Sequence, residues 1–282
     1  MDKAEDIFKD FLVLFAFGSS RSEVLDNIKR IAAKHPLFAP EVPVCGGEVF
    51  NLEYAKKHKE ELISVYNMLA DDASKRAFFE TLLFKLDGNI EHLFACETSE
   101  EEAFSNILKL ESGSSFLDLG AYNGDTVLDF IKRVGDFSHI TAVEPDKKSF
   151  LKLCRNTEQF DILRINAAVS NECGSIPFSF KSSRGSTVGG EESISSVTID
   201  SLCQDKSFDY IKFDVEGKEL DAILGGEKTI KKDKPKMLIS AYHKSDDYFS
   251  IPLAVHRINP EYKIYMRHYP YVPAWDTNFY FV

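Results

Sequence analysis

The sequence predicts an α/β protein: a mostly parallel sheet with helices on both faces from about residue 113 onward, preceded by a mainly helical region. Three observations predict it. After Gly113, short apolar runs alternate with amphipathic segments, the pattern of a parallel sheet covered on both sides. The first of those runs passes through a loop carrying Gly120 and Gly124 straight into a helix-start signal. Before Gly113, apolar residues recur every three or four positions, the period of helices.

Taken in order, Ile7, Phe8, Phe11, Leu12, Leu14 and Phe15 form an apolar helical face that Gly18-Ser19-Ser20 ends. A second helix starts at Ser22-Glu23-Val24-Leu25 and must stop before Pro36. Residues 39–47, broken by Pro40, Pro43, Gly46 and Gly47, read as irregular chain. Helical spacing returns over 52–69. Asp71-Asp72-Ala73-Ser74 begins another helix that Asp87-Gly88 closes, and 100–110 is one more. These stripes need a partner surface, either the sheet or a second copy of the chain in a homodimer. The expected division is therefore a helical region over 1–112 and a sheet domain over 113–282.

In the second part, strands are expected over 115–119, 139–143, 161–166, 210–214 and 236–241, with helices over about 126–134, 146–156, 217–224 and 246–258. Two β-prone runs, 175–180 and 195–199, flank a Ser/Gly-rich stretch at 181–190 that reads as a hairpin connection. Aromatic-rich runs at 262–269 and 278–282 should pair antiparallel at one side of the sheet. Lys231-Lys232-Asp233-Lys234-Pro235-Lys236 reads as a helix C-terminus and turn.

Composition excludes some partners. The 282 residues carry a net charge of −11, which disfavours nucleic acid and anionic membranes. The five cysteines are scattered with no paired spacing, so neither a metal knuckle nor a disulfide framework is expected, and a reducing compartment is. The first residues are acidic where a secretory signal would be basic, and the apolar run 11–17 is too short to span a bilayer. The expected location is the cytoplasm.

The chemistry concentrates at strand ends. In Asp118-Leu119-Gly120-Ala121-Tyr122-Asn123-Gly124-Asp125-Thr126, glycines permit positive φ and close ligand approach, and Asp125 or Thr126 can cap the next helix. Strand, loop and helix N-terminus would present N–H groups to an anionic ligand group. Tyr122 stands where a pyrophosphate-binding fingerprint needs a second glycine, so a nucleoside with an amino-acid tail fits better; S-adenosylmethionine (SAM) is one. Glu144, after the second strand and before Pro145, is placed to accept from a ribose diol. Asn166 and Ala167, after the third, would lie near the base. In the fourth strand, Lys212, Asp214 and Glu216 alternate onto one side, where a central strand is normally apolar. Pairing of Lys212 with Asp214 would explain part of that; a cleft would explain all of it. His243 ends the fifth strand on the same rim.

These motifs, with Ile211-Lys212-Phe213-Asp214-Val215-Glu216-Gly217, Glu219, Tyr242-His243-Lys244 and Arg267-His268-Tyr269, resemble the FkbM family of SAM-dependent methyltransferases over about residues 113–282. The resemblance implies a class I methyltransferase (Rossmann-like) sheet of seven strands with an antiparallel C-terminal pair. It implies SAM as cosubstrate and O-methylation of a hydroxyl on a saccharide or polyketide-type small molecule. For such a transfer Asp214 or His243 could act as base. Alternatively Asp214, Glu216 and His243 could hold a divalent cation, although a simple base ranks above a metal. A Rossmann-type NAD(P)-dependent oxidoreductase and a non-catalytic interaction module with a methyltransferase fold remain as alternatives.

Overall fold

The burial of side chains along the strands decides the architecture. Every residue of Phe116–Leu119 and of Ile140–Val143 is buried, so both faces of these strands are covered. The computed structural model describes residues 6–8, 10–179, 187–188 and 192–282. In chain order the early strands are β1 (Val13–Leu14), β2 (Leu37–Phe38), β3 (Phe116–Leu119), β4 (Ile140–Val143) and β5 (Leu163–Ile165). Then come β6 (Ala168–Val169), β7 (Gly174–Ser179), β8 (Thr187–Val188) and β9 (Glu192–Val197). The last four are β10 (Tyr210–Phe213), β11 (Lys236–Ser240), β12 (Ile264–His268) and β13 (Thr277–Phe281).

Seven of them form one sheet in the order β12-β13-β11-β10-β3-β4-β5. All neighbours are parallel except β13, which runs against both β11 and β12. From β3 the chain builds outward first through β4 and β5 and then through β10, so the switch point lies between β3 and β10. One face buries Leu117, Leu119, Ile211, Phe213 and Ile239 under helices Glu219–Leu224, Glu227–Asp233 and Asp247–Ile258. The other buries Phe116, Ile140, Tyr210 and Leu238 against helices Asp125–Val134 and Lys147–Asn156. The rings of Phe116, Tyr210 and Phe130 stack there, with centroids 4.7 and 4.8 Å apart across Phe116. Strands β6 to β9 form a separate four-stranded sheet. The 181–190 connection lies mainly outside the described residues; Thr187–Val188 within it pairs with β7.

The helical region joins the same core. Phe50, Tyr54, Leu62, Val65, Leu69 and Phe78 pack in one cluster with the first sheet face. Its chain also covers the outer edge of β12, through backbone bridges of Leu69 to Ile264 and Glu97 to His268. Arg267, 2% exposed, fixes the junction by reaching Asp71 (2.8 Å), Glu102 (2.8 Å) and the Ser74 hydroxyl (2.9 Å). Among the described residues, no helix is long and apolar enough to cross a membrane.

Among the described residues the first expected helix does not form. Residues 13–14 instead form β1, parallel to β2, with Val13 N–H donating to Pro36 O (2.9 Å) and Phe15 N–H to Phe38 O (2.7 Å). An apolar run this short fits either period, and its Phe and Val residues are indifferent helix formers. The 52–69 stretch breaks at His58 into Leu52–Lys57 and Lys59–Met68. The 100–110 helix is a single α-turn, Glu100–Glu102, that continues as a π-helix over Ala103–Leu108.

Gly120 is the position on which the strand ends depend. Its φ is +84°, and a Cβ there would lie 1.9 Å from the carbonyl oxygen of Asp214. Gly113, also at positive φ, has open space around it. Gly120→Ala should therefore cost at least about 3 kcal/mol, backbone strain and overpacking together. Gly113→Ala should cost only the strain, about 1–2 kcal/mol. Urea denaturation of the two variants beside the wild type measures the difference.

Candidate active site

Most amides of the loop after β3 are paired within the fold. Gly120 and Ala121 N–H both donate to Val143 O (2.9 and 3.0 Å), and Gly124 N–H donates to Ala121 O (2.7 Å). Tyr122, with φ +45°, donates its N–H to Glu144 Oε2 (2.8 Å). The helix begins at Asp125 with Gly124, not Asp125 or Thr126, as its N-cap. The Asn123 side chain accepts from Asp125 N–H (3.1 Å), and the Asp125 carboxylate accepts from Thr126 N–H (2.9 Å). The N–H groups of Gly120, Ala121, Tyr122 and Gly124 are thus paired within the fold, because a tight turn must satisfy most of its own backbone. Gly124 serves packing: a Cβ there would lie 2.9 Å from Leu153.

Glu144 follows β4 and is 6% exposed. Each carboxylate oxygen accepts one backbone N–H, from Asp146 (2.7 Å) and Tyr122 (2.8 Å), and each retains a second lone pair. Burial pushes its carboxyl up to about 7, against those two amides. The Asn166 amide donates to Glu144 O (2.8 Å) and Pro145 O (3.0 Å), bracing the turn.

The acidic strand end occupies the switch point. β10 lies between β3 and β11, so its polar side is not an edge. Lys212 is register partner of Asp118 in β3, and its Nζ lies 3.3 Å from Asp214 Oδ2. Asp214 Oδ1 accepts from the Tyr242 hydroxyl (3.1 Å) and lies 3.4 Å from His243 Nε2. Glu216, at φ +53°, brings Oε2 within 3.6 Å of the same nitrogen. Burial opposes the charge on Asp214, but Lys212 and then His243 hold its carboxyl below the usual range. Burial also opposes charge on His243; Glu219 foremost, then Asp214 and Glu216, overcome it and push the imidazole up to about 10. Asp214, Glu216 and His243 thus meet as one cluster, with both carboxylates within 3.4–3.6 Å of the same ring nitrogen.

One cavity of about 500 Å³ gathers these groups. Gly120, Tyr122, Asp125, Thr126, Glu144 and Pro145 line one part of it, and Lys212, Asp214, Glu216 and His243 another. Asp118, Ala121, Asn123, Gly124, Asn166 and Ala167 do not line it. Sequence reasoning missed a third part of the wall: Ser20, Val44, Glu100, Tyr271, Trp275 and Asp276. These come from the helical region and the β12–β13 connection, and no local pattern marks them. Tyr242 was within reach, because it precedes His243 at a strand end.

Fold and site together define a protein of the methyltransferase class, with its cavity at the carboxyl ends of a seven-stranded, mostly parallel sheet. A family model described as the methyltransferase FkbM domain matches residues 118–268, over half of the sequence, and the chain belongs to that family. It is similar to the crystal structure of methyltransferase FkbM from Methylobacillus flagellatus KT, with a TM-score of 0.76 at 23% identity, over 95% of this chain and 73% of that one. Fainter likenesses reach a precorrin-6y C5,15-methyltransferase from Geobacter metallireducens GS-15 (TM-score 0.40, 10% identity, 62% and 81% covered). A fibrillarin from Aeropyrum pernix, in complex with S-adenosyl-L-methionine, stands at 0.39 and 13%, with 61% and 67% covered. No curated protein matches the sequence.

Asp118 gives this floor a measurable pH signature. It is fully buried, neither oxygen has a hydrogen-bond partner among the described residues, and burial pushes its carboxyl up to about 7 despite Lys212. Unfolded, it titrates near 3.9. Its contribution to stability is therefore fully present below about 4 and is lost as pH rises through about 7. Asp118→Asn should gain on the wild type progressively from pH 4 to pH 7 and hold that gain above, as read by urea denaturation across the range.

Proposed function

We propose that the protein is a SAM-dependent methyltransferase that methylates a hydroxyl oxygen of a saccharide or polyketide-type small molecule. One observation carries the reading: the Glu144 carboxylate and the Asp214–Glu216 pair line the same cavity, on either side of the switch point. The free lone pairs of Glu144 fit a ribose diol, and a loop most of whose amides are already paired fits a ligand without a pyrophosphate. When bound, SAM supplies a methyl group on a positively charged sulfur, which departs with the C–S electron pair as the new O–C bond forms. Catalysis is then mainly positioning, with a base for the hydroxyl proton.

Asp214 is the base in this reading. Its low proton affinity is no obstacle, because the hydroxyl proton becomes strongly acidic as its oxygen takes the methyl. His243, already protonated, is not a competitor for that role. Tyr271 and Trp275, with ring centroids 5.7 Å apart, offer apolar faces to an acceptor ring, and Glu100 and Asp276 offer acceptors to its hydroxyls. In this division residues 113–282 hold SAM, and the 1–112 region contributes Ser20, Val44 and Glu100 to the acceptor side. Five free thiols suit a cytoplasmic setting.

Calorimetric titration with SAM, its demethylated product and NAD tests the ligand; preference for NAD would sink the proposal. Because ionised Glu144 accepts best, affinity for SAM should rise with pH through about 7. Glu144→Gln should remove that dependence and weaken binding about 10- to 100-fold, the worth of a hydrogen bond to a charged group. Asp214→Asn should lower single-turnover methyl transfer about a hundredfold to ten-thousandfold with SAM affinity little changed. A variant that melts like the wild type and turns over at the wild-type rate would remove Asp214 from the chemistry.

A further inference from the structure

We infer that Glu219 is a positioning residue for methyl transfer: from beneath the cavity it holds the His243 ring so that the far edge of the ring clamps Asp214 and Glu216. This rests on the function proposed above. Glu219 opens helix Glu219–Leu224 and is 1% exposed. Its Oε1 accepts from Val215 N–H (3.0 Å) and lies 2.9 Å from His243 Nδ1. The first contact ties the carboxylate to the backbone just after β10, so it cannot swing away from the ring. The turn that brings it there is tight: Glu216 and Gly217 both have positive φ, and a Cβ on Gly217 would lie 2.9 Å from Cys45 Cβ.

His243 is 1% exposed. Its carbonyl accepts from Cys45 N–H (3.0 Å), and its ring centroid lies 4.3 Å from that of Tyr242. Nδ1 faces Glu219, while Nε2 faces Asp214 at 3.4 Å and Glu216 at 3.6 Å. With three carboxylates at 2.9–3.6 Å around its two nitrogens, the ring is placed where a positive charge is favoured over a neutral one. A fixed cation between Asp214 and Glu216 offsets their mutual repulsion and keeps both carboxylates on the cavity side. Asp247, 4% exposed and accepting from Lys244 N–H (2.7 Å), supports the arrangement from helix Asp247–Ile258. Burial, and then the charge of Glu219, raise its carboxyl. The groups that set the charge of His243 are thus Glu219, Asp247, Asp214 and Glu216, with Lys212 and the Tyr242 hydroxyl beyond Asp214 and the Cys45 thiol alongside.

The histidine side-chain nitrogens of the full chain, observed by 15N NMR at pH 8, test the charge without a variant. His243 should show two protonated nitrogens; a neutral ring would overturn the inference. Glu219→Gln keeps the acceptor for Val215 but not the charge. It should lower the methyl-transfer rate about a hundredfold through misplacement, with binding of the demethylated product of SAM unchanged. It should also pull the alkaline loss of activity down by at least about one pH unit, as expected when an opposite charge is removed. Wild-type rate and an unmoved pH profile would overturn the inference. So would a stoichiometric divalent ion found by elemental analysis and lost in Asp247→Asn, since Glu219, His243 and Asp247 bring ligand atoms within 4.8 Å of one another. If the protein transfers no methyl group, calorimetry with SAM reports that separately, while the nitrogen spectrum still decides the state of His243.

Discussion

The approach of Gly120 to the Asp214 carbonyl is the constraint behind the rest of the site. Two neighbouring parallel strands, β3 and β10, end level with each other, and the loops that leave them must diverge at once. Where Gly120 stands, any side chain would occupy the space of the next backbone. With it absent, the loop after β3 folds toward β4 and Glu144, and the chain after β10 turns over the sheet end. Glu144 and the acidic pair then face one cavity instead of two.

That closeness has an electrostatic consequence. Asp118, Asp214, Glu216, Glu219 and Asp247 crowd the end of the sheet, with Lys212 and His243 as the cations among them. Burying such groups is unfavourable, and replacing them with apolar residues would often stabilise a fold. Their arrangement makes sense only for what it does at the cavity. The register of the sheet sets it: Lys212 opposite Asp118, one residue pair below the strand end, neutralises part of the acid and orients Asp214.

Most of the sheet was legible because its strands are short, apolar and separated by capped helices. The polar alternation of Lys212, Asp214 and Glu216 stood out against that background for the same reason. The place of Glu144 on the cavity wall was legible from its distance behind the glycine loop. The sequence could not show that Asn166 braces a turn, or that Ala121 and Asp118 lie under the floor, because a motif fixes nearness and not direction. The run around Val13 misled, since a few apolar residues carry both periods and the choice falls to a distant partner strand. Trp275, Tyr271 and Ser20 were invisible for a different reason: they meet only through the tertiary fold. Among these, Gly18 lies so close to Trp275 that a Cβ would approach its ring to 2.7 Å.

The chain that covers the edge of β12 also furnishes part of the cavity wall. Arg267 joins the sheet to Asp71 and Glu102, and Glu100, two residues earlier in the same α-turn, lines the cavity. In a lineage this links two traits that are separable when an acceptor site sits on free loops. Exchanging the helical region wholesale to reshape the cavity would uncover a sheet edge and strand a buried guanidinium. The open evolutionary route is therefore gradual: single replacements on the inner wall, at Ser20, Val44 or Glu100, that leave the outer scaffold in place.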